Sequence, residues 1–192
     1  MLKKVVIIGP ESTGKSTLCR QLAAHFHTLC CPEYAREYLL EHGMDYTYDD
    51  LLTIAKGQLA LEDEYVSKVR HPTSNNQNAD SHSPLTTGHS LLFFDTDMYV
   101  MKIWCEFVFG KCHQFILDQI AARKYDLYLL CNIDLPWIRD ELREYPDLGR
   151  RIQLYSIYRN SMLNQSTPWV DISGNCEIRL EKAIAAVAKI VD

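Results

Sequence analysis

Residues 5–17, VVIIGPESTGKST, constrain the fold more tightly than any other part of the chain. Val5, Val6, Ile7 and Ile8 form an unbroken β-branched run, the pattern of a strand buried on both faces. The run stops at Gly9, after which Leu18, Leu22 and Phe26 recur at helical spacing. Between strand and helix stand Gly9, four further residues, Gly14, Lys15 and Ser16, the spacing of a Walker A phosphate loop. Glycines at both ends let successive backbone N–H groups turn inward, and the helix starting near Lys15 brings its positive end to the same anion site. Lys15 is suited to the β- and γ-phosphates as a point charge, and the Ser16 hydroxyl to Mg²⁺ as a hard oxygen ligand. The residues expected around ATP are therefore Gly9, Glu11, Ser12, Thr13, Gly14, Lys15, Ser16 and Thr17.

A chain of 192 residues suits one α/β domain spanning 1–192, long enough for a sheet covered on both faces. The formal net charge of −5 excludes the global basic field of a nucleic-acid binder, although not a local basic groove. The seven cysteines are odd in number and form no CxxC pair, so they read as reduced, buried thiols of a cytoplasmic protein. Cys105, Cys112 and His113 lack a fourth ligand at suitable spacing and read as core residues rather than a metal site. Lys3 and Lys4 precede an apolar run as in a signal peptide, but the run ends after four residues. No targeting or membrane-spanning segment is expected.

Further along, the pattern predicts a strand near 28–31, a helix through EYAREYLLEH closed by Gly43, and a long helix from Thr47 to about Val69. Thr47 with Asp50 three residues later resembles a capping box. Residues 71–90 are polar, with two prolines and no apolar period, and predict a mobile surface loop. TTGH at 86–89 imitates a nucleotidyltransferase signature, but it falls in that loop instead of after an N-terminal strand and reads as coincidence. LLFF then gives a buried strand ending at Asp95, followed by helices near 97–109 and 112–123 on either side of Gly110. DLYLLC is a further strand, Asp134 and Pro136 look like the start of the next helix, and PWVDI precedes a final helix with Ile178, Ala185, Ala186 and Val187 as its packing face. Apolar strands alternating with helices predict a parallel sheet flanked by helices.

Ligands of such sheets sit at the carboxyl ends of the strands, which directs attention to a few short segments. Asp95 ends an apolar strand, the place of a carboxylate that organises Mg²⁺ directly or through water. Asp97 is placed to bind a hydroxyl-bearing substrate or take its proton, or else merely to cap a helix. Glu33 and Arg36 begin a helix on the acceptor side, the first as base or sugar ligand, the second as a phosphate or hydroxyl clamp. Arg139, Arg143, Arg150 and Arg151 crowd into 134–151, a candidate lid in which one arginine closes over the triphosphate. Trp137 offers either a stacking surface for a flat ring or ordinary packing.

Taken together, GPESTGKST, EYAREYL, FFDTD and DLPWIRDELR, in this order and at these intervals, resemble the ribosylnicotinamide kinase domain of NadR-type proteins. The resemblance covers nearly the whole chain outside 71–90. It implies a P-loop NTPase fold similar to nucleoside and nucleotide kinases, with ATP and Mg²⁺ as cofactors and a small-molecule riboside as acceptor. By position it implies Lys15, Asp95, Glu33 and Arg143 in catalysis, Ser16 and Asp95 at the metal, and Glu33, Tyr34, Arg36, Asp97 and Trp137 toward the riboside. The longer family members carry an adenylyltransferase domain and a DNA-binding segment before the phosphate loop, so NAD assembly and repression are not expected of this chain alone. No nucleic-acid or membrane partner is expected. The alternatives left open are another nucleoside or nucleotide kinase and a non-kinase, ATP-dependent switch.

Overall fold

The computed structural model describes residues 1–71 and 91–191. Nearly all of the predicted mobile loop, with the TTGH segment, lies outside them. In chain order the elements are β1 (Lys3–Ile8), α1 (Lys15–His25), β2 (Leu29–Cys31), α2 (Tyr34–His42), α3 (Tyr48–Arg70), β3 (Leu91–Asp95), α4 (Met98–Phe109), α5 (Gln114–Ala122), β4 (Leu127–Cys131), α6 (Leu148–Leu163), β5 (Trp169–Ile172) and α7 (Cys176–Val191). The five strands form one parallel sheet in the order β2-β3-β1-β4-β5. Ile7 stands opposite Asp95 and Ile8 opposite Leu130, so the phosphate loop leaves the sheet between the ends of β3 and β4.

Strand periodicity divides the core. Val5 and Ile7 pack with Leu18, Leu22, Ala183 and Val187 against α1 and α7, while Val6 and Ile8 face Val100, Ile103, Leu154 and Tyr158 of α4 and α6. Each fully buried aliphatic side chain here is worth about 1.5–3 kcal/mol of burial. A third cluster, including Leu51, Ile54, Met101 and Ile116, joins α3, α4 and α5 beside the sheet. The capping box at α3 is formed: the Thr47 side chain accepts from Asp50 N at 3.3 Å, and Asp50 accepts from Thr47 N at 2.8 Å.

Three expectations are corrected. No helix starts at Asp134. Instead, α6 begins at Leu148, capped by Asp147, whose carboxylate accepts from Arg150 N at 2.9 Å. The Asp134 carboxylate is drawn elsewhere, pairing with Arg179 of α7 and accepting from Gly174 N. The thiols are not all reduced and buried: Cys19 and Cys30 are joined in a disulfide between α1 and β2, and Cys176 is exposed. Their Cα atoms lie 6.0 Å apart because α1 folds back on β2, a proximity that a sequence separation of 11 does not announce. On α7 the packing face is Arg179, Ala183, Ala186 and Val187, leaving Ile178 and Ala185 exposed, since the helix turns a charged residue inward to meet the phosphate loop. Among the described residues no helix is long and apolar enough to cross a membrane.

Candidate functional site

The phosphate loop is shaped by what surrounds it. Gly9 has φ +138°, and a Cβ there would stand 2.7 Å from the Cys131 carbonyl oxygen, so only glycine lets β1 pass β4 into the loop. Gly14, at φ +81°, caps α1 with no side chain of its own. The buried Thr13 donates to the Pro10 carbonyl at 2.7 Å, and Lys15 Nζ donates to the same oxygen at 2.9 Å. Behind the loop, the Arg179 side chain, only 3% exposed, donates to the carbonyls of Thr13 at 2.8 Å, Gly174 at 2.8 Å and Asn132 at 2.9 Å. One guanidinium thereby ties the phosphate loop to the ends of β4 and β5.

Two carboxylates converge near Lys15. Asp95 is 3% exposed and accepts a hydrogen bond from the Ser16 side chain, while its Oδ1 has no partner among the described residues. Glu33 stands at the N-cap of α2 without capping it, and its side chain lines the cavity described below. Burial lifts both carboxyl groups above their ordinary range, Lys15 opposes the rise in each, and the charge of Asp95 adds to it at Glu33. Thr96, between the two aspartates, is buried at φ +97°, a strained conformation of the kind held at working sites.

The cavity, about 490 Å³, runs from the phosphate loop to a wall of Val100, Ile103, Trp104 and Phe107 from α4, Leu154 and Tyr158 from α6, and Leu39 from α2. Its charged lining comprises Lys15, Arg20, Arg36 and Arg143 with Glu11, Glu33, Asp140 and Glu144, and Ser16 is among its polar groups. The segment before α6 closes one side. Ser12 Oγ accepts from Ile138 N at 2.9 Å and from Arg143 Nη1 at 3.3 Å, and Arg36 makes two contacts to Asp140, at 3.4 and 3.3 Å. Trp104 Nε1 donates to the Tyr46 hydroxyl, which donates to Glu144 Oε2, both at 2.9 Å.

Of the residues singled out in the sequence, Lys15, Ser16, Glu33, Arg36 and Arg143 meet at this cavity, with Asp95 buried behind Ser16. The three other residues expected toward the riboside, Asp97, Tyr34 and Trp137, do not line it. Asp97 is 1% exposed and caps α4, accepting from Tyr99 N at 2.9 Å and from the Tyr128 hydroxyl at 2.7 Å. Tyr34 lays its ring on Gly57 of α3, where any Cβ would overlap it. Trp137 points its Nε1 at Glu11, 3.4 Å away. Among the lid arginines, Arg151 is buried against the carbonyls of Ile133 and Leu135, and Arg150 lies over the Tyr145 ring. Sequence reasoning missed Arg20, although its place five residues after Lys15 on the loop-bearing helix was a usable signal. It also missed Trp104, Phe107 and Tyr158, which read as plain core residues because their periodicity is that of packing helices.

A family model described as an AAA domain matches residues 4–179. The chain is 31% identical over 149 residues to the trifunctional NAD biosynthesis/regulator protein NadR of Salmonella typhimurium (strain LT2), an alignment covering 74% of this chain and 31% of that protein. It therefore spans about a third of the length of the curated relatives it matches. A crystal structure of a NadR protein in complex with NR superposes with a TM-score of 0.71 at 22% identity, over 98% of this chain and 51% of that one. A second, in complex with NAD and AMP-PNP, gives 0.67 at 22% identity, over 98% and 49%. Thymidylate kinase from Ehrlichia chaffeensis gives 0.62 at 12% identity, over 96% and 98%, so the parallel sheet with its phosphate loop has the architecture of nucleotide kinases. The match to the family model opens inside β1 and closes in α7 at the arginine that braces the phosphate loop, enclosing the whole cavity, and on that span the chain belongs to the AAA domain family.

Proposed function

We propose that this chain transfers the γ-phosphoryl group of ATP to the 5′-hydroxyl of nicotinamide riboside, giving nicotinamide mononucleotide and ADP. The observation that carries the reading is one cavity that joins the phosphate loop, with the Glu33 carboxylate near Lys15, to an aromatic wall. The hydroxyl oxygen forms a bond to the γ-phosphorus as the bond to the β–γ bridging oxygen breaks, and ADP leaves with that electron pair. Glu33 is the group assigned to orient the hydroxyl and take its proton. It faces the cavity, whereas Asp95 is buried and engaged with Ser16, and its raised pKa suits a proton acceptor near neutrality. Lys15 exchanges the Pro10 carbonyl for phosphate oxygens, and Arg143 neutralises charge from the lid side. Trp104 and Phe107, with the acidic Glu33 and Glu144, complement a flat, cationic pyridinium ring.

The unpartnered, buried Oδ1 of Asp95 beside the Ser16 hydroxyl is the donor set Mg²⁺ takes. These two residues would hold the ion, which supplies charge neutralisation on the phosphates. ATP as donor is supported by the loop itself and by the AMP-PNP complex of the NadR relative. We further propose a single domain, 1–192, that acts on small molecules without nucleic-acid or membrane partners, in the cytoplasm where ATP is supplied; this location rests on the ATP chemistry and not on reduced thiols, since Cys19 and Cys30 are joined.

The test is ADP release by the purified protein with ATP and Mg²⁺, alone and with nicotinamide riboside, thymidine, adenosine or AMP. At least about tenfold stimulation by the riboside alone is expected, since an acceptor filling the cavity aligns the reacting atoms. Preference for thymidine or AMP would make it a different nucleoside or nucleotide kinase, and no stimulation by any acceptor would point to an ATP-driven switch.

A further inference from the structure

A glutamate inside a phosphate loop calls for explanation, because its charge opposes that of a bound triphosphate. Glu11 is among the residues lining the cavity, and its carboxylate is taken up by donors of the lid. Its Oε2 accepts from Glu144 N at 2.9 Å, and its Oε1 accepts from Tyr145 N at 2.5 Å and from Trp137 Nε1 at 3.4 Å. These donors lie more than 120 residues away in sequence, on the irregular segment before α6, and two of them are backbone N–H groups that no helix or strand satisfies. Beside it, Ser12 accepts from Ile138 N and Arg143 Nη1, and Arg143 returns a bond to the Ile138 carbonyl.

We propose that Glu11 is a positioning residue: its carboxylate clasps residues 137–145 to the phosphate loop and so fixes Arg143 over the site of phosphoryl transfer. The two oxygens divide the task, one holding Glu144 and the other Tyr145 and Trp137, so neither contact is dispensable for the register of Arg143 between them. Glutamine at this position keeps the shape but only one accepting oxygen, so its amide nitrogen must face one of the backbone donors and the two-sided clasp cannot form. The role rests on the kinase reading for its catalytic consequence but not for its structural one.

Two measurements on the full chain separate them. Hydrogen exchange at the Glu144 and Tyr145 amides is expected to be slow in the wild type and at least about tenfold faster in Glu11→Gln, with exchange in β1 and β4 unchanged. Steady-state kinetics of the same variant are expected to show kcat reduced about 10- to 100-fold with KM for ATP within about threefold, the signature of a displaced group rather than a lost nucleotide contact. In an Arg143→Ala background the same substitution should cost less than about threefold, because its effect is transmitted through that arginine. Unchanged exchange at these amides, or a KM for ATP that rises while kcat holds, would overturn the clasp and return Glu11 to direct nucleotide binding. If the wild type phosphorylates no acceptor, the kinase reading fails, and exchange alone still decides whether the clasp exists.

Discussion

Glu33 and Glu62 show how burial turns one residue type to two ends. At Glu33 the raised pKa leaves a carboxyl group that loses its proton only toward neutrality, so the basic form is depleted as pH falls. kcat/KM for the acceptor is accordingly predicted to fall on an acidic limb near neutral pH, and Glu33→Gln to lower kcat by about 10²–10⁴-fold and abolish the limb. Glu62 is away from the cavity, 1% exposed, held by the Tyr125 hydroxyl at 2.8 Å and Arg123 at 3.3 Å, with Oε1 unpartnered among the described residues. Burial pushes it up to about 7. A carboxyl group with a folded-state pKa above its unfolded one destabilises the fold where it is charged, so its penalty is full above about pH 7 and absent below its ordinary range. The stability of Glu62→Gln relative to wild type should therefore improve between about pH 5 and about pH 8, by up to a few kcal/mol in chemical denaturation. A difference that stays flat with pH would show that Glu62 is not charged and buried as described. The sequence offers Glu33 as a candidate base through its place just after the second strand, whereas nothing local marks Glu62 as a buried carboxylate.

At the scale of elements, strands and long helices were legible because periodicity and caps are local signals: the boundaries of β1, β3 and β4 and the Thr47 capping box lie close to where the pattern put them. The stretch after β4 was not. Asp134 and Pro136 are good helix-start residues, yet the chain there stays irregular because its donors and acceptors are taken by Glu11, Ser12 and Arg179, partners on other elements. The same holds for Asp97, which sits two residues from Asp95 but is spent on capping α4 and holding Tyr128. Arg179 is the element-scale joint. Arg179→Met should cost about 2–4 kcal/mol of stability, since it orphans carbonyls at three loop ends, and should weaken ATP binding through the phosphate loop. Denaturant titration and ATP binding measured together check this, and a stable variant with weakened ATP binding would relocate its importance from fold to site. Thr47→Ala, in contrast, should cost about 1 kcal/mol and leave turnover unchanged, because neither Thr47 nor any residue of α3 lines the cavity.

For the whole molecule, the order β2-β3-β1-β4-β5 places the carboxyl ends of β1 and β3 side by side, which is why a loop at residue 9 and an aspartate at residue 95 can serve one phosphate. That juxtaposition was readable in outline from the motif set. The acceptor wall was not, because it is assembled from α2, α4 and α6 by packing that no local pattern encodes. ATP, bound by the folded chain alone, should raise the unfolding midpoint by mass action, and Lys15→Ala should lose that shift without lowering the midpoint of the free protein. The most direct measurement of the central claim is the mass of the product when wild type and Lys15→Ala are each given nicotinamide riboside and ATP carrying ¹⁸O in the γ-phosphoryl group. Phosphoryl transfer to the riboside gives the mononucleotide with the ¹⁸O-labelled phosphoryl group, matched one for one by ADP, from the wild type and none from the variant. ADP accompanied by labelled inorganic phosphate and unaltered riboside would contradict it.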